Sequence, residues 1–341
     1  MAKRKLNQQQ QRRVKQKQHQ ERTATETVGD SQRGEKRPGL VITNFGKRLL
    51  VESEDGQLHN CAVRQHLGKL VAGDTVTWQA DIEPNTGVVV AADPRHQELS
   101  RPGFRGQKRM VAANIDLLGI VAPIEPGVHP DMIDRYLVTA HQMHLPVLIL
   151  INKIDLMASD EHWEAIAELL LPYDELGLDI LPVSAESGDG IEALRTLLTG
   201  KNSVFVGPSG AGKSSLIKAL IPDIDIKTSA LSESTGLGKH TTTNSILYHL
   251  PEETDVNPGH AGNIIDSPGV RQFSPMPCEL HELEAAYPDF APFLGQCKFN
   301  NCTHTTEPNC AIRQAVEDGE LHYSRYQSFQ RLREEFANEP H

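Results

Sequence analysis

The chain has 341 residues and a formal net charge of −11, enough for about two domains and for burial of roughly three quarters of its unfolded surface. Its longest apolar runs, Leu117 to Ile124 and Leu145 to Ile151, are broken by Gly119 and Pro146 and fall short of the roughly 18 residues a membrane helix needs, so no helix is expected to cross a bilayer. Five cysteines in this length do not make a disulfide framework, and clustered thiols in a reducing compartment read as metal ligands.

Residues 1–37 carry 11 Lys or Arg against 4 Asp or Glu, so the remainder of the chain holds a net −18. This Gln-rich arm has too few apolar residues for a core and is expected to be disordered in isolation, with a charge suited to phosphate backbones. It lacks the apolar stretch of a secretory signal, and a cytoplasmic location is expected. From 38 to 100, short β-branched runs alternate with turn signals: "LVITNF", "RLLVES", "HNCAVR", "DTVTWQA" and "TGVVVAA". That spacing predicts a small closed β-barrel of the OB type. Cys61 stands alone in one of these strands and reads as a packing residue.

A basic connector from Arg101 to Arg109 leads into a second rhythm, assigned to 101–275. Apolar strands ("NIDLLGIVAPI", "PVLILIN", "DILPVSA", "NSVFVG") alternate with helices ("HPDMIDRYLVTAHQMH", "DEHWEAIAELLL", "GIEALRTLL", "KSSLIKALI"), the pattern of a parallel sheet covered on both faces. Two further strands, "SILYHL" and "GNIID", follow a polar stretch. Residues 276–341 read as a Cys/His knot with helices.

Chemistry-bearing motifs sit at the strand ends. Asn152-Lys153-Ile154-Asp155 follows "PVLILI", where a carboxylate can accept hydrogen bonds from guanine N1 and N2 and leaves adenine unmatched. Lys153 would lie along the base plane and Asn152 would tie this loop to a phosphate loop. After the next strand, Ser184-Ala185 offers the Ala185 N–H to guanine O6. Gly207-Pro208-Ser209-Gly210-Ala211-Gly212-Lys213-Ser214 fits G-x-x-x-x-G-K-[ST] between a strand and a helix, so backbone N–H groups can cradle phosphates, Lys213 can reach the β- and γ-phosphates and Ser214 can ligate magnesium, with Ser215 beside it. In the segment "TGLGKHTTTNS", Thr242 is the first choice for a magnesium ligand that senses the γ-phosphate, with Thr241 and Thr243 as near alternatives. Asp266-Ser267-Pro268-Gly269 ends a strand, placing Asp266 by magnesium-bound water and the Gly269 N–H by the γ-phosphate.

The base motif therefore precedes the phosphate loop, the reverse of regulatory GTPases. Cutting the usual chain after Asp-x-x-Gly and joining its old ends gives this order and moves no strand: a circular permutation. The chain then passes from Gly269 almost directly to the knot, so the γ-phosphate sensor is expected to be tethered to the C-terminal region. In the knot, Cys297, Cys302, His304 and Cys310 lie within 14 residues and offer a closed, structural zinc set; Cys278 and His281 are the competing ligands. Further on, Tyr323, Tyr326, Phe329, Leu332 and Phe336 recur at helical spacing and are expected to form a core stripe, leaving Arg325, Arg331 and Arg333 on other faces, open to phosphate contact.

A β-barrel, a permuted GTPase and a terminal zinc knot in this order, with "NKID", "GPSGAGKSS", "GKHTTT", "DSPG" and C-x4-C-x-H-x5-C, resemble the ribosome small-subunit-dependent GTPase family, RsgA or YjeQ, over nearly everything after the arm. The resemblance implies a multidomain OB-fold, α/β GTPase and zinc-binding helical architecture that binds the small ribosomal subunit and its rRNA late in assembly, with GTP hydrolysis stimulated by that particle. Val270 follows Asp-x-x-Gly where many GTPases place a water-orienting Gln. The resemblance supports His240 for that task, giving a catalytic set of Lys213, Thr242 and His240. The expected protein is a monomeric GTPase that binds GTP and GDP with Mg2+ and one structural Zn2+, contacts rRNA and touches no membrane. A zinc-stapled RNA-binding scaffold using GTP as a slow structural ligand is the rival, and Asp155 argues against a P-loop kinase or ATPase.

Overall fold

Short β-branched runs bounded by turn signals form the first five strands, along which successive side chains face opposite sides. In the computed structural model, which describes residues 34–46, 48–102, 108–224, 245–251, 261–267 and 275–338, these strands are β1 (Lys36–Asn44), β2 (Arg48–Ser53), β3 (Leu58–Val63), β4 (Thr75–Ala80) and β5 (Thr86–Ala92). They pair in the order β1-β2-β3-β5-β4 and close through β1–β4, with β3 and β5 parallel, which is a closed five-stranded OB barrel. Val41, Leu49, Val51, Cys61, Val76, Trp78 and Val89 fill it. Cys61 is fully buried, and burial pushes its thiol up to about 12. β1 begins at Lys36, ahead of the expected barrel start at 38.

The basic segment read as a connector instead supplies part of a hairpin, β6 (Glu98–Pro102) paired with β7 (Lys108–Ala113). The charges hid a short apolar stretch in which Leu99, Val111, Ala112 and Ala113 are buried.

The α/β unit contains β8 (Leu117–Pro123), β9 (Val147–Asn152), β10 (Asp179–Val183), β11 (Asn202–Val206), β12 (Ile246–His249) and β13 (Asn263–Asp266). They lie in the order β10-β9-β8-β11-β13-β12, all parallel except β12. Every residue of β8 is buried, as a strand sandwiched between helices requires. The helices are α1 (Pro130–Gln142), α2 (Asp160–Asp174), α3 (Ile191–Leu198) and α4 (Lys213–Leu220). Pro130 opens α1, where a missing N–H costs nothing, and the Ser159 hydroxyl caps α2 by accepting from His162 N–H. The barrel joins this sheet where Thr43 pairs with Ile246, and His249 of β12 reaches Glu52 of β2 at 2.7 Å.

The C-terminal unit is α5 (Leu280–Ala285), α6 (Ala311–Glu317) and α7 (Tyr323–Asn338), packed around Leu283, Tyr287, Phe290, Ile312, Phe329 and Leu332. Two expectations for α7 are corrected. Tyr323 is 61% exposed, because the helix starts there before it meets the core. Arg325, expected on an outer face, is 1% exposed: its guanidinium pairs with Asp134 of α1 and with Asp289. Arg331, by contrast, lies on an exposed face as expected, where it pairs with Asp131. No helix among the described residues is long and apolar enough to cross a membrane.

Candidate functional site

The C-terminal edge of the parallel strands, where open α/β sheets bind ligands, gathers most of the residues singled out by sequence. Asn152 ends β9 and is buried. Lys153 then takes a left-handed conformation (φ 67°), which turns the chain sharply into the short helix Ile154–Leu156 that carries Asp155. Lys153 Nζ donates to the Glu125 carbonyl at 3.0 Å, pinning the side chain over the end of the neighbouring β8. The Ser184 hydroxyl, fully buried just past β10, donates to Asp155 Oδ1 at 2.5 Å and accepts from the N–H groups of Glu186 and Ser187 at 3.1 Å each. Ser184 thus orients the exposed Asp155 carboxylate, while the half-buried Ala185 follows it in the same loop.

The loop from Gly207 to Gly212 joins β11 to α4. Gly207 sits at φ 145°, and a Cβ there would meet the Val121 carbonyl at 2.4 Å. Gly212 sits at φ 91°, and a Cβ would strike the Asn152 amide at 2.2 Å. These contacts let the loop lie close against β8 and the base loop. The Asn152 amide donates to the Ala211 carbonyl at 2.7 Å across 59 residues of sequence, joining the two loops by a buried hydrogen bond of about 1 kcal/mol net. Lys213, in the first turn of α4, donates from Nζ to the carbonyls of Gly207 and Pro208 at 2.8 and 2.7 Å, so its ammonium lies at the mouth of the loop. Ser209, Gly210, Ser214 and Ser215 are exposed. Tyr136 of α1 is buried in the core beneath the sheet, and burial pushes the titration of its hydroxyl upward.

Asp266 ends β13 beside the parallel β11, so its carboxylate leaves the same sheet edge. Ser267, next to it, hydrogen-bonds Ser245 at 2.9 Å. His240, Thr241, Thr242, Thr243, Gly269 and Val270 lie outside the described residues.

The zinc expectation meets a specific geometry. Ligand atoms of Cys297, Cys302, His304 and Cys310 all lie within 4.8 Å of one another, and among the described residues neither Cys278 nor His281 joins them. Cys297 Sγ is 3.9 Å from Cys310 Sγ and 3.6 Å from His304 Nδ1, which is 3.3 Å from Cys310 Sγ. A tetrahedral zinc with sulfurs at about 2.3 Å separates them by about 3.8 Å, so the donor set and its spacing fit the ion. The other imidazole nitrogen faces Glu284 Oε1 at 2.9 Å, the carboxylate–histidine arrangement that orients a metal-ligating ring. Glu307 accepts from the N–H groups of Thr303, Thr305 and Thr306 at 2.8, 2.9 and 3.1 Å, and the Thr303 hydroxyl, with the Thr303 and Thr305 N–H groups, holds its carboxyl well below the usual range. Glu284 and Glu307 were invisible in the ligand spacing because neither is a ligand.

Comparison with known proteins is consistent with this site. The family model described as RsgA GTPase matches residues 92–275. The chain is 40% identical over 336 residues to the small ribosomal subunit biogenesis GTPase RsgA of Actinobacillus pleuropneumoniae, covering 97% of this chain and 95% of that protein. It is 42% identical over 347 residues to the protein of the same name from Hahella chejuensis, covering 98% and 97%. The solved structure of YjeQ from Thermotoga maritima is similar with a TM-score of 0.70 and 30% identity, over 90% of this chain and all of that one. That of YloQ, described as a circularly permuted GTPase, gives 0.68 and 26% over 90% and 97%.

Proposed function

The chain belongs to the RsgA GTPase family, and from that premise we propose that it binds the small ribosomal subunit and its rRNA during late maturation and hydrolyses GTP in response to that particle. It is a ribosome biogenesis GTPase. Asn152, Lys153, Asp155 and the Ala185 N–H read guanine, with Ser184 holding Asp155 in place. Residues 207–214 cradle the phosphates, while Ser214, Asp266 and Thr242 attend Mg2+. His240 holds the attacking water, in the position where Val270 cannot. Cys297, Cys302, His304 and Cys310 bind one structural Zn2+ that shapes the C-terminal unit without taking part in hydrolysis.

The observation that carries this reading is the buried Asn152 bridge to Ala211. It holds a guanine-type loop and a phosphate loop at one sheet edge, the two ends that a nucleotide must span. The test is GTP turnover with and without purified small subunits. Strong stimulation supports the reading; negligible turnover under both conditions favours a scaffold that keeps GTP as a structural ligand.

A further inference from the structure

Helix α2 turns Ile166, Leu170 and Tyr173 into the core beneath the GTPase sheet and leaves its remaining faces to solvent. On them Trp163, Ala167 and Leu171 recur every fourth residue, which sets them one above another along a single row. All three are exposed, Trp163 by 36% and Leu171 by 44%. Asp160, Glu164 and Glu168 recur in the same way and are exposed too. Each acid precedes a member of the apolar row by three residues and is therefore its neighbour on the helix surface. The helix thus presents an apolar row flanked by an acidic one.

Neither row is satisfied within the chain. The helix contains no Lys or Arg, and among the described residues no basic side chain pairs with Asp160, Glu164 or Glu168. Asp160 gains from the helix N-terminus, but Glu164 and Glu168 lie beyond the first turn, four residues apart, where like charges destabilise a helix. The rows are also clear of the other parts of the molecule that bind. Helix α2 crosses from β9 to β10, the edge of the sheet opposite β12, where the barrel joins, and it begins after the base loop at 152–155.

The charge selects the occupant. An acidic flank repels phosphate, so the face suits neither RNA nor an anionic membrane, and a second copy would bring acid against acid. The chain's own basic residues 1–37 enter the fold through β1, at the barrel end of the sheet. A protein segment rich in Lys and Arg that also carries apolar side chains matches both rows, and proteins seated on rRNA are of this kind because they neutralise its phosphates. We propose that the Trp163–Ala167–Leu171 row and its acidic flank dock a Lys/Arg-rich segment of a small-subunit protein. This rests on the proposed binding of the small subunit. Trp163 is the anchor, as buried tryptophans are in protein interfaces, and the acidic row fixes register and speeds encounter.

The test uses the full-length protein and purified small ribosomal subunits, with affinity read by sedimentation in the presence of a non-hydrolysable GTP analogue. Trp163→Ala should weaken subunit binding about tenfold or more. Reversing Glu164 and Glu168 together to Lys should also weaken it, with a loss that shrinks as salt is raised. Leu169→Ala, at a residue that is exposed but outside both rows, should leave subunit affinity at the wild-type value, and all three proteins should bind the nucleotide as the wild type does. Ala167→p-benzoylphenylalanine, irradiated on the subunit, should crosslink to a Lys/Arg-rich segment of a subunit protein. A crosslink to rRNA, to residues 1–37 of the chain itself or to a second copy would overturn the proposal, as would unchanged affinity in Trp163→Ala or tighter binding after the charge reversal. If the wild-type protein does not bind the subunits at all, the subunit-binding reading falls and the proposal with it; if the wild type binds and Trp163→Ala binds equally well, only the docking face falls.

Discussion

Removing the Glu284 carboxylate should loosen zinc without touching a ligand. His304 presents Nδ1 to the cysteine sulfurs and Nε2 to Glu284 at 2.9 Å, with side chains only 5% and 16% exposed. Water therefore cannot readily replace the carboxylate, and Glu284→Ala leaves a buried imidazole N–H without its acceptor. The backbone around His304 is held separately, because its carbonyl accepts from Tyr326 Oη and Gln330 Nε2 at 2.7 Å each. The loss should consequently fall on ring orientation and basicity. Outer carboxylates of this kind are worth about 10- to 100-fold in metal affinity, or about 1.4 to 2.8 kcal/mol. Glu284→Ala is expected in the upper part of that range. Glu284→Gln, which retains an amide oxygen to accept the N–H, is expected nearer tenfold or below. Zinc competition against a chromogenic chelator measures both, and the Tm in excess chelator reports the linked stability of the C-terminal unit. Wild-type zinc affinity in Glu284→Ala would refute the assignment of His304 as a ligand oriented by this carboxylate.

Asp155→Asn should weaken GTP about 10- to 100-fold, the worth of hydrogen bonds to a charged group, and shift preference toward xanthosine triphosphate; paired titrations check it, and unchanged GTP affinity would remove Asp155 from the base site. His240→Ala should keep GTP affinity near wild type while subunit-stimulated turnover falls about tenfold or more; equal turnover in both proteins would place the water elsewhere. Glu335 is held below its ordinary carboxyl value by Arg135, so its contribution is complete above the unfolded-state value and is lost as pH falls through the folded one. Both partners are partly exposed, which limits the pair to about 0.2 to 1 kcal/mol. The Tm difference between wild type and Glu335→Gln should be small but present at pH 7 and disappear on acidification, and a difference that grows in acid would contradict the pairing.

Much of the site was legible because its chemistry is local. Gly207 to Ser214 must carry glycines where the backbone turns back on β8 and Asn152, and the strand before it must be apolar to sit inside the sheet. Both demands act within a few residues and therefore leave a pattern. The barrel was legible for the same reason, since each short β-branched run and the turn signal that ends it lie within a few residues of each other. The Cys297, Cys302, His304 and Cys310 cluster falls within 14 residues and could be read from spacing alone.

What resisted reading depends on partners far along the chain. Arg325 meets Asp134 across 191 residues, and on its own helix it looks like any solvated arginine; only the docking of α7 on α1 makes it a buried charge. Basic residues at 101–109 suggested a connector until two strands paired. Glu284 lies 20 residues from the histidine it orients, at a distance no ligand spacing records. The sequence by itself determined most of the elements, the motifs they carry and the permuted order, because backbone sterics and hydrophobic periodicity act over one or two turns. Tertiary structure alone decided which face of α1 meets the C-terminal unit and which charges are buried there, because desolvation and long-range pairing exist only once distant segments have closed on each other.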